Sequence, residues 1–431
     1  MNEVNKRLIE REEQNNPIAV ALIGAGQMGV EIVAQIGQMR GIEVCCICDL
    51  SLGLAKKGFE DTKKKRPIVE TDDPAFATRA WAEGKYVATT DYRVATRMDQ
   101  VEAVIDATGS TEMGAIVSLD SMNHGKHIVM MSVECDVTIG PILRQMSENA
   151  GVVYSLAAGD EPAAICELYR FADSLGFEVV AAGKGKNNPL NMYANPDTEK
   201  EKAAQREMSA RMLAEFVDGS KTAIEMTAVS NATGLLPDVP GMHGAKSTVD
   251  TLNKVFIPEA DGGVLKNRTG VVDFAIGVHP GVFLVVTTDS PRLRAGLVQR
   301  DMGPGPYYTL YRPFHLTSIE VPMTVCQAVF YGESSGHPLG RLYTECTAVS
   351  KRDIKKGETL DGIGEWCYRG SVEEARSAAD KKFLPLGIAQ GCVVTQDIPK
   401  DTIISYEMVD ASRDSVLMDL RRLQDKLYRE R

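Results

Sequence analysis

Two lysines separated by one glycine, Lys184 and Lys186 in FEVVAAGKGKNNPLN, stand where an apolar run that reads as a strand gives way to polar residues. An ammonium group drawn out of water can polarise or protonate a carbonyl oxygen, and a pair of them can hold a carboxylate or phosphate. Downstream, DGSKTAIEMTAVSNATGLLPD places Lys221, Glu225 and Asn231 on one expected helix. Glu225 follows Lys221 by one helical turn, so it reads either as half of a surface pair worth ~0.3 kcal/mol or as an acid of the site. Asp160 and Glu161 precede Pro162 at an expected helix start, where carboxylates either cap the helix or orient a substrate. Lys184, Lys186, Asp160 and Glu225 are the candidate catalytic residues.

A second chemistry lies in IAVALIGAGQMGVEIVAQI. Ile18 to Ile23 is an apolar, branched run of the kind that forms a buried parallel strand. Gly24, Gly26 and Gly29 then satisfy G-x-G-x-x-G, and Met28 to Ile36 has helical spacing. Gly24 permits a tight turn, Gly26 lets backbone approach a pyrophosphate, and Gly29 lets helix and strand pack closely. The loop Gly24, Ala25, Gly26, Gln27, Met28 and Gly29 is thus the expected phosphate cradle, its amides at a helix start. A second strand, IEVCCICD, ends at Asp49, about 20 residues further on, where an acid can bind the adenosine ribose; Leu50 follows it. The cofactor expected is NAD or NADP, with NAD favoured because Asp49 repels a 2′-phosphate. KKKR, Lys63 to Arg66, reads as a solvated loop face, with Lys56 and Lys57 also near. A strand at Val101 to Asp106 delivers Thr108, Gly109 and Ser110. The next, Ile128 to Val133, is expected to end at Glu134. These residues are candidates for contacting the nicotinamide half of the cofactor.

Those pieces need elements to hold them, and 431 residues allow two or three domains. The expected fold class is α/β: a doubly wound Rossmann sheet over 1–150, then an α+β substrate and oligomerisation domain over 151–343. Thr198 to Val217 reads as one charged helix. AVSKRDIKKGETL and VVTQDIPKDTIISYEMV repeat one phrase and predict a small all-β domain over 344–411. The closing segment 412–431 reads as a helix with Val416, Leu420, Leu423 and Leu427 on one face, docked on its own protein or on a twin subunit.

Composition narrows the function classes. Lys plus Arg is 48 and Asp plus Glu 59, a net charge of −11 that argues against nucleic acid or an anionic membrane as partner. No apolar run approaches the length of a bilayer span, and the charged start lacks a secretory signal's apolar core, so a cytoplasmic, unexported chain is expected. The nine cysteines read as reduced thiols. Cys45 and Cys48 form a CxxC inside a strand, where residues three apart point to opposite faces, so redox or metal use is not expected. The six histidines show no zinc-ligand spacing. No metal site is assigned.

Together GAGQMG, Asp49, VECDVTIGP, GDEP, GKGKNNPLN, DGSKTAIEMTAVSNATGL and RPFHL resemble the homoserine-dehydrogenase-like proteins with a C-terminal SAF domain. That family includes a second, reductoisomerase-like type acting on 1-deoxy-D-xylulose 5-phosphate. The resemblance spans nearly the whole chain. It implies an NAD(P)-dependent oxidoreductase acting on a small polar carbonyl or hydroxyl compound; a homo-oligomer is expected from the closing helix and the small β domain. It also implies substrate-binding and proton-handling roles for Lys184, Lys186 and Glu225. NNPLN after the lysines departs from the reductoisomerase-like branch. Glu134-Cys135-Asp136 stands where related sugar dehydrogenases carry Glu-Lys-Pro. An isomeroreductase is the alternative, and it would draw a divalent metal from Glu134, Asp136, Asp160 and Glu225. A nucleotide sensor without turnover is the other.

Overall fold

The computed structural model describes residues 3–428; the last three residues of the expected closing helix segment, and the first two of the chain, lie outside them. The chain forms two compact units. The first takes the chain up to Ala163, Leu316–Gly340 and Ser415–Gln424. The second takes Ala164–His315, Arg341–Asp414 and the chain from Asp425 on.

The first unit is built on seven parallel strands: β1 (Ile18–Ile23), β2 (Ile42–Cys48), β3 (Ile68–Glu70), β4 (Tyr86–Thr89), β5 (Val101–Asp106), β6 (His127–Met130) and β7 (Tyr154–Leu156). Their order is β3-β4-β2-β1-β5-β6-β7, so the winding reverses between β1 and β5. Ligands of doubly wound sheets bind outside the strand ends at such a reversal. β1 is apolar throughout, and so is β2 apart from Glu43, because both faces are covered. Leu22, Ile32 and Val325 pack on one side, and Cys46, Val87, Met98 and Val104 on the other. Cys45 and Cys48 do not part to opposite faces: a register shift between Val44 and Cys46 brings both into one core cluster, where burial pushes their thiols up to about 12.

Two local expectations need correction here. β6 stops at Met130, and Val133–Ala150 is a helix with Glu134 and Asp136 in its first turn, where carboxylates complement the positive helix end. Glu134 is therefore a helix-start residue, not the end of a strand. In the closing helix, Val416–Tyr428, the buried side chains are Leu417, Met418, Leu420, Arg421 and Gln424, while Leu423 and Leu427 are 41% and 45% exposed. The buried face is rotated because this helix docks through polar groups as well. Pro141 interrupts the hydrogen-bond ladder of Val133–Ala150. Gln424 bridges that break: its Oε1 accepts from the Ile142 amide at 3.2 Å and its Nε2 donates to the Thr138 carbonyl at 3.1 Å.

In the second unit β8 (Glu178–Lys186), β9 (Val271–Ile276), β10 (Val282–Thr287) and β11 (Tyr307–Arg312) form a mixed sheet ordered β11-β10-β8-β9. The His279-Pro280-Gly281 turn joins β9 to β10 across β8, which lies between them. The charged segment expected as one helix is two, Pro196–Gln205 and Ala210–Asp218, because Glu207 at φ 53° and Ser209 end one and start the next. In the C-terminal segment β12 (Thr344–Ser350) pairs with β13 (Tyr368–Glu374), and β14 (Val393–Val394) with β15 (Val409–Asp410), all antiparallel. The repeated phrase pairs with itself. Ile354 and Ile398 exchange both backbone hydrogen bonds at 2.8 Å, the Lys400 amide donates to Asp353 and the Lys356 amide to Asp397. Among the described residues no helix is long and apolar enough to cross a membrane.

Candidate active site

The glycine loop of the first unit leaves β1 and enters the helix Gln27–Ile36. Gly24 sits at φ 98°, and a Cβ there would meet the Ala107 carbonyl oxygen at 2.6 Å; one on Gly29 would meet the Gly24 oxygen at 2.0 Å. At Gly26 a Cβ would meet nothing within 4 Å. Two glycines are thus demanded by packing, and the third leaves open space at a helix start, which is the room a pyrophosphate needs. The loop fits a dinucleotide. Asp49 lies just past β2 and accepts the Ala25 amide and the Ser51 amide at 2.8 Å each, which fixes its carboxylate beside the loop. Leu50, next to it, is fully exposed.

KKKR sits elsewhere. Lys64 and Arg66 both pair with Glu43, the second residue of β2, and Lys65 donates to the Glu60 carbonyl. Glu43 and Asp49 stand at opposite ends of a strand, roughly 20 Å apart at the usual rise per residue. Lys56 pairs with Glu70 at 2.6 Å.

Beyond β5, Thr108 donates to Asp106 at 2.8 Å through its hydroxyl, and the Gly109 amide donates to the Ser132 hydroxyl at 2.9 Å. Ser110 caps the helix Thr111–Asn123. Asp106 is wholly buried, and desolvation pushes its carboxyl up to about 6. Sequence reasoning passed over it; a carboxylate closing the apolar run Ala103 to Ile105 was the available signal.

Asp160 and Glu161, both buried, open the helix Glu161–Ser174 at the edge of the first unit. Their turn is anchored by a segment the sequence did not mark, Thr317–Ile319. The Thr317 amide donates to the Gly159 carbonyl at 3.0 Å, and the Ser318 hydroxyl contacts the sulfur of Met28 at 3.1 Å. Gly159, at φ 83°, is required because a Cβ would strike Glu320 and the Thr317 oxygen. Thr317 itself has φ 44°, a costly conformation for a branched residue. The acidic turn and the glycine-loop helix are therefore tied to one strained segment.

In the second unit the alternation of β8 explains GKGK. A Cβ on Gly183 would meet the Asp273 oxygen at 2.3 Å, and one on Gly185 the Val278 oxygen at 1.7 Å, so backbone packs against that side. Lys184 and Lys186 take the other side. Both are buried, 8% and 5% exposed. Lys184 pairs with Glu225 of the helix Ser220–Thr233, a residue only 2% exposed. Glu225 thus stands in a buried pair rather than on a surface, because this helix is covered on nearly every side. The Lys186 ammonium donates to the Phe216 carbonyl at 2.5 Å, the one side-chain hydrogen bond it makes among the described residues. Burial, and then the neighbouring Lys184 charge, pull its ammonium down to about 8. An amine poised there exchanges protons readily near neutral pH, and its two remaining donors are available to a ligand. Of the carboxylates considered for a metal, Glu225 is thus paired with Lys184. Asp136 holds the Tyr154 hydroxyl at 2.9 Å, and burial pushes it up to about 7.

Residues 159–321 match the family model described as "Oxidoreductase DRL, catalytic domain". The match covers less than half of the chain and includes Asp160, Lys184, Lys186 and Glu225. No curated protein matches. Solved structures similar to this chain include a probable dehydrogenase from Thermotoga maritima, with 12% identity over 73% of this chain and 90% of that one and a TM-score of 0.40. A myo-inositol 2-dehydrogenase from Lactobacillus plantarum has 14% identity over 74% and 91%, TM-score 0.40. A scyllo-inositol dehydrogenase from Lactobacillus casei, with NAD(H) and scyllo-inositol bound, has 10% identity over 63% and 73%, TM-score 0.36. These likenesses are too loose to carry function. With a doubly wound α/β sheet in one unit and a match to an oxidoreductase catalytic domain across its middle, the chain is an oxidoreductase.

Proposed function

We propose that the protein is an NAD(P)-dependent oxidoreductase acting on the CH–OH group, or the corresponding carbonyl, of a small polar compound. Homoserine-like, sugar-acid and polyol compounds are the substrate classes in view. The observation that carries this reading is Lys186, buried on β8 with its ammonium pulled down to about 8, beside the Lys184–Glu225 pair and inside the matched catalytic domain. The nicotinamide ring, when bound, accepts or donates the hydride. The glycine loop and Asp49 would hold its pyrophosphate and adenosine ribose, and Thr108, Gly109 and Ser110 its other ribose. NAD is favoured over NADP because Asp49 is fixed at the loop while Lys64 and Arg66 are committed to Glu43.

In the oxidising direction the neutral Lys186 amine takes the hydroxyl proton as the carbon gives up its hydride. In the reducing direction its ammonium returns that proton to the carbonyl oxygen. Lys184, paired with Glu225, polarises the same oxygen, and Asp160 or Glu161 orients the substrate. A second reading, an isomeroreductase acting on 1-deoxy-D-xylulose 5-phosphate or a related compound, is favoured by two buried ammonium groups on one strand face, which suit a phosphate. The test is incubation with NAD or NADP and a panel of polyols, hydroxy acids and sugar phosphates while reduced nicotinamide is followed. Turnover of one compound, faster with NAD, is expected. Tight cofactor binding with no turnover across the panel would sink the enzyme reading and leave a nucleotide sensor.

A further inference from the structure

The helices Ala210–Asp218 and Ser220–Thr233 meet at Gly219, with φ 89°, and the junction is taken as the five residues around that turn, Phe216 to Ser220, which include the last residues of one helix and the first of the next. Every residue of it except the glycine is held by a distant part of the second unit. The Phe216 carbonyl accepts from Lys186, and the Val217 carbonyl accepts from the Asn191 amide at 3.0 Å. Asp218 pairs with Lys351 at 2.6 Å and accepts the Ser220 amide at 2.7 Å. The Ser220 hydroxyl accepts the Gly370 amide at 2.9 Å. Lys351 lies just past β12 and Gly370 in β13, so two of these ties come from the C-terminal β segment.

That segment presses closely on the junction. A Cβ on Gly370 would meet Ala223 at 3.3 Å as well as Cys346 and Leu386 at 3.2 Å, so β13 lies directly on the helix that carries Glu225. Lys351 is spent on structure: its ammonium donates to the Ala194 and Glu365 carbonyls at 2.7 Å each and pairs with Asp218 at 2.6 Å, so three oxygens surround it. Such a lysine has nothing left for a substrate. Lys186 hangs from the same junction by one bond and keeps two donors.

We propose that the C-terminal β segment is a positioning element for Lys186: through Lys351–Asp218 and Gly370–Ser220 it fixes the junction whose Phe216 carbonyl and Asp218 charge set where the Lys186 ammonium stands and how readily it gives up its proton. This rests on the reading of Lys186 as the proton-handling group. The charged groups facing Lys186 are Lys184 from its own strand, Glu225 from the following helix and Asp218 from the junction. Asp218 is the one the C-terminal segment controls.

The test needs no substrate. The full-length protein is acetylated briefly with acetic anhydride across a pH series, and the rate at Lys186 is read by peptide mass spectrometry. In the wild type the midpoint should lie near pH 8. Asp218→Asn keeps Lys351 on its two carbonyls and removes the charge that favours the Lys186 ammonium, so the midpoint should fall by about half a pH unit or more. Lys351→Arg, which keeps the charge, should hold the wild-type midpoint better than Lys351→Met. Lys355→Ala, which breaks an exposed pair with Asp397 in the same segment, should leave it unchanged. A midpoint that Asp218→Asn does not move overturns the positioning role. A wild-type midpoint near that of a free lysine instead overturns the proton-handling reading on which it rests.

Discussion

Two buried lysine–carboxylate pairs lie in the second unit, and they differ in what surrounds them. Lys351–Asp218 is saturated: three acceptors meet the ammonium, and Asp218 takes the Ser220 amide besides. Lys184–Glu225 has a second cation, Lys186, two residues along the same strand face, and that neighbour bears the strain of the arrangement as a lowered affinity for its proton. Saturation marks a pair that organises the fold. A crowded pair beside an underbonded amine marks one that can exchange protons with a ligand.

The difference is open to attack at several points. The largest effect is expected from Lys186→Met, which should cut turnover by roughly 10²–10⁴-fold while folding stability stays within about 1 kcal/mol of wild type, since only the Phe216 carbonyl loses a donor and a desolvated ammonium is relieved. Lys351→Met should do the reverse to stability. It strands Asp218 in the interior and should cost about 3–5 kcal/mol in chemical denaturation, most of it recovered in Asp218→Asn/Lys351→Met. If both methionine variants lose stability equally, the two lysines do not differ as described.

A smaller effect concerns pH. The Lys186 ammonium is held below its unfolded value of 10.5, at about 8, so the unfolded chain binds more protons between those values and stability rises with pH across that window. The thermal midpoint of the wild type, relative to that of Lys186→Met, should therefore climb from pH 8 towards pH 10. Asp49→Asn in the first unit should raise the KM for NAD by about tenfold through lost charge-assisted bonds to the ribose. Lys65→Ala should be the mildest change, under ~0.5 kcal/mol in stability and without effect on the ratio of NAD to NADP turnover.

The two units also differ in how far they can be read from the sequence. β1, β5 and the glycine loop are local: the boundaries at Ile18–Ile23 and Val101–Asp106 follow from runs of apolar residues, and Gly24, Gly26 and Gly29 each have a separable reason. The lysine site is half local. GKGK places both amines on one strand face, but the choice of Glu225 as partner depends on a helix that is buried almost all round, and its own periodicity suggested a surface pair instead. Lys351 and Asp218 carry no local signal at all, since each looks like an ordinary charged residue until the chain folds back. Glu134 was misplaced for another reason. HIVMMSVE reads as one extended run, and only the acids of the first turn, Glu134 and Asp136, hint at the helix. Leu423 and Leu427 keep the helical spacing that suggested a buried stripe, yet Arg421 and Gln424 take the buried positions because a proline-broken helix needs polar partners.

The central claim is that Lys186 handles the proton of a hydride transfer. It is tested most directly by the pH dependence of nicotinamide reduction with a hydroxy compound the wild type turns over. The account predicts that kcat/KM rises through about pH 8 to a plateau and that Lys186→Met loses both the rise and most of the rate. A rate that is flat across that range, or a Lys186→Met enzyme that keeps wild-type turnover, would contradict it.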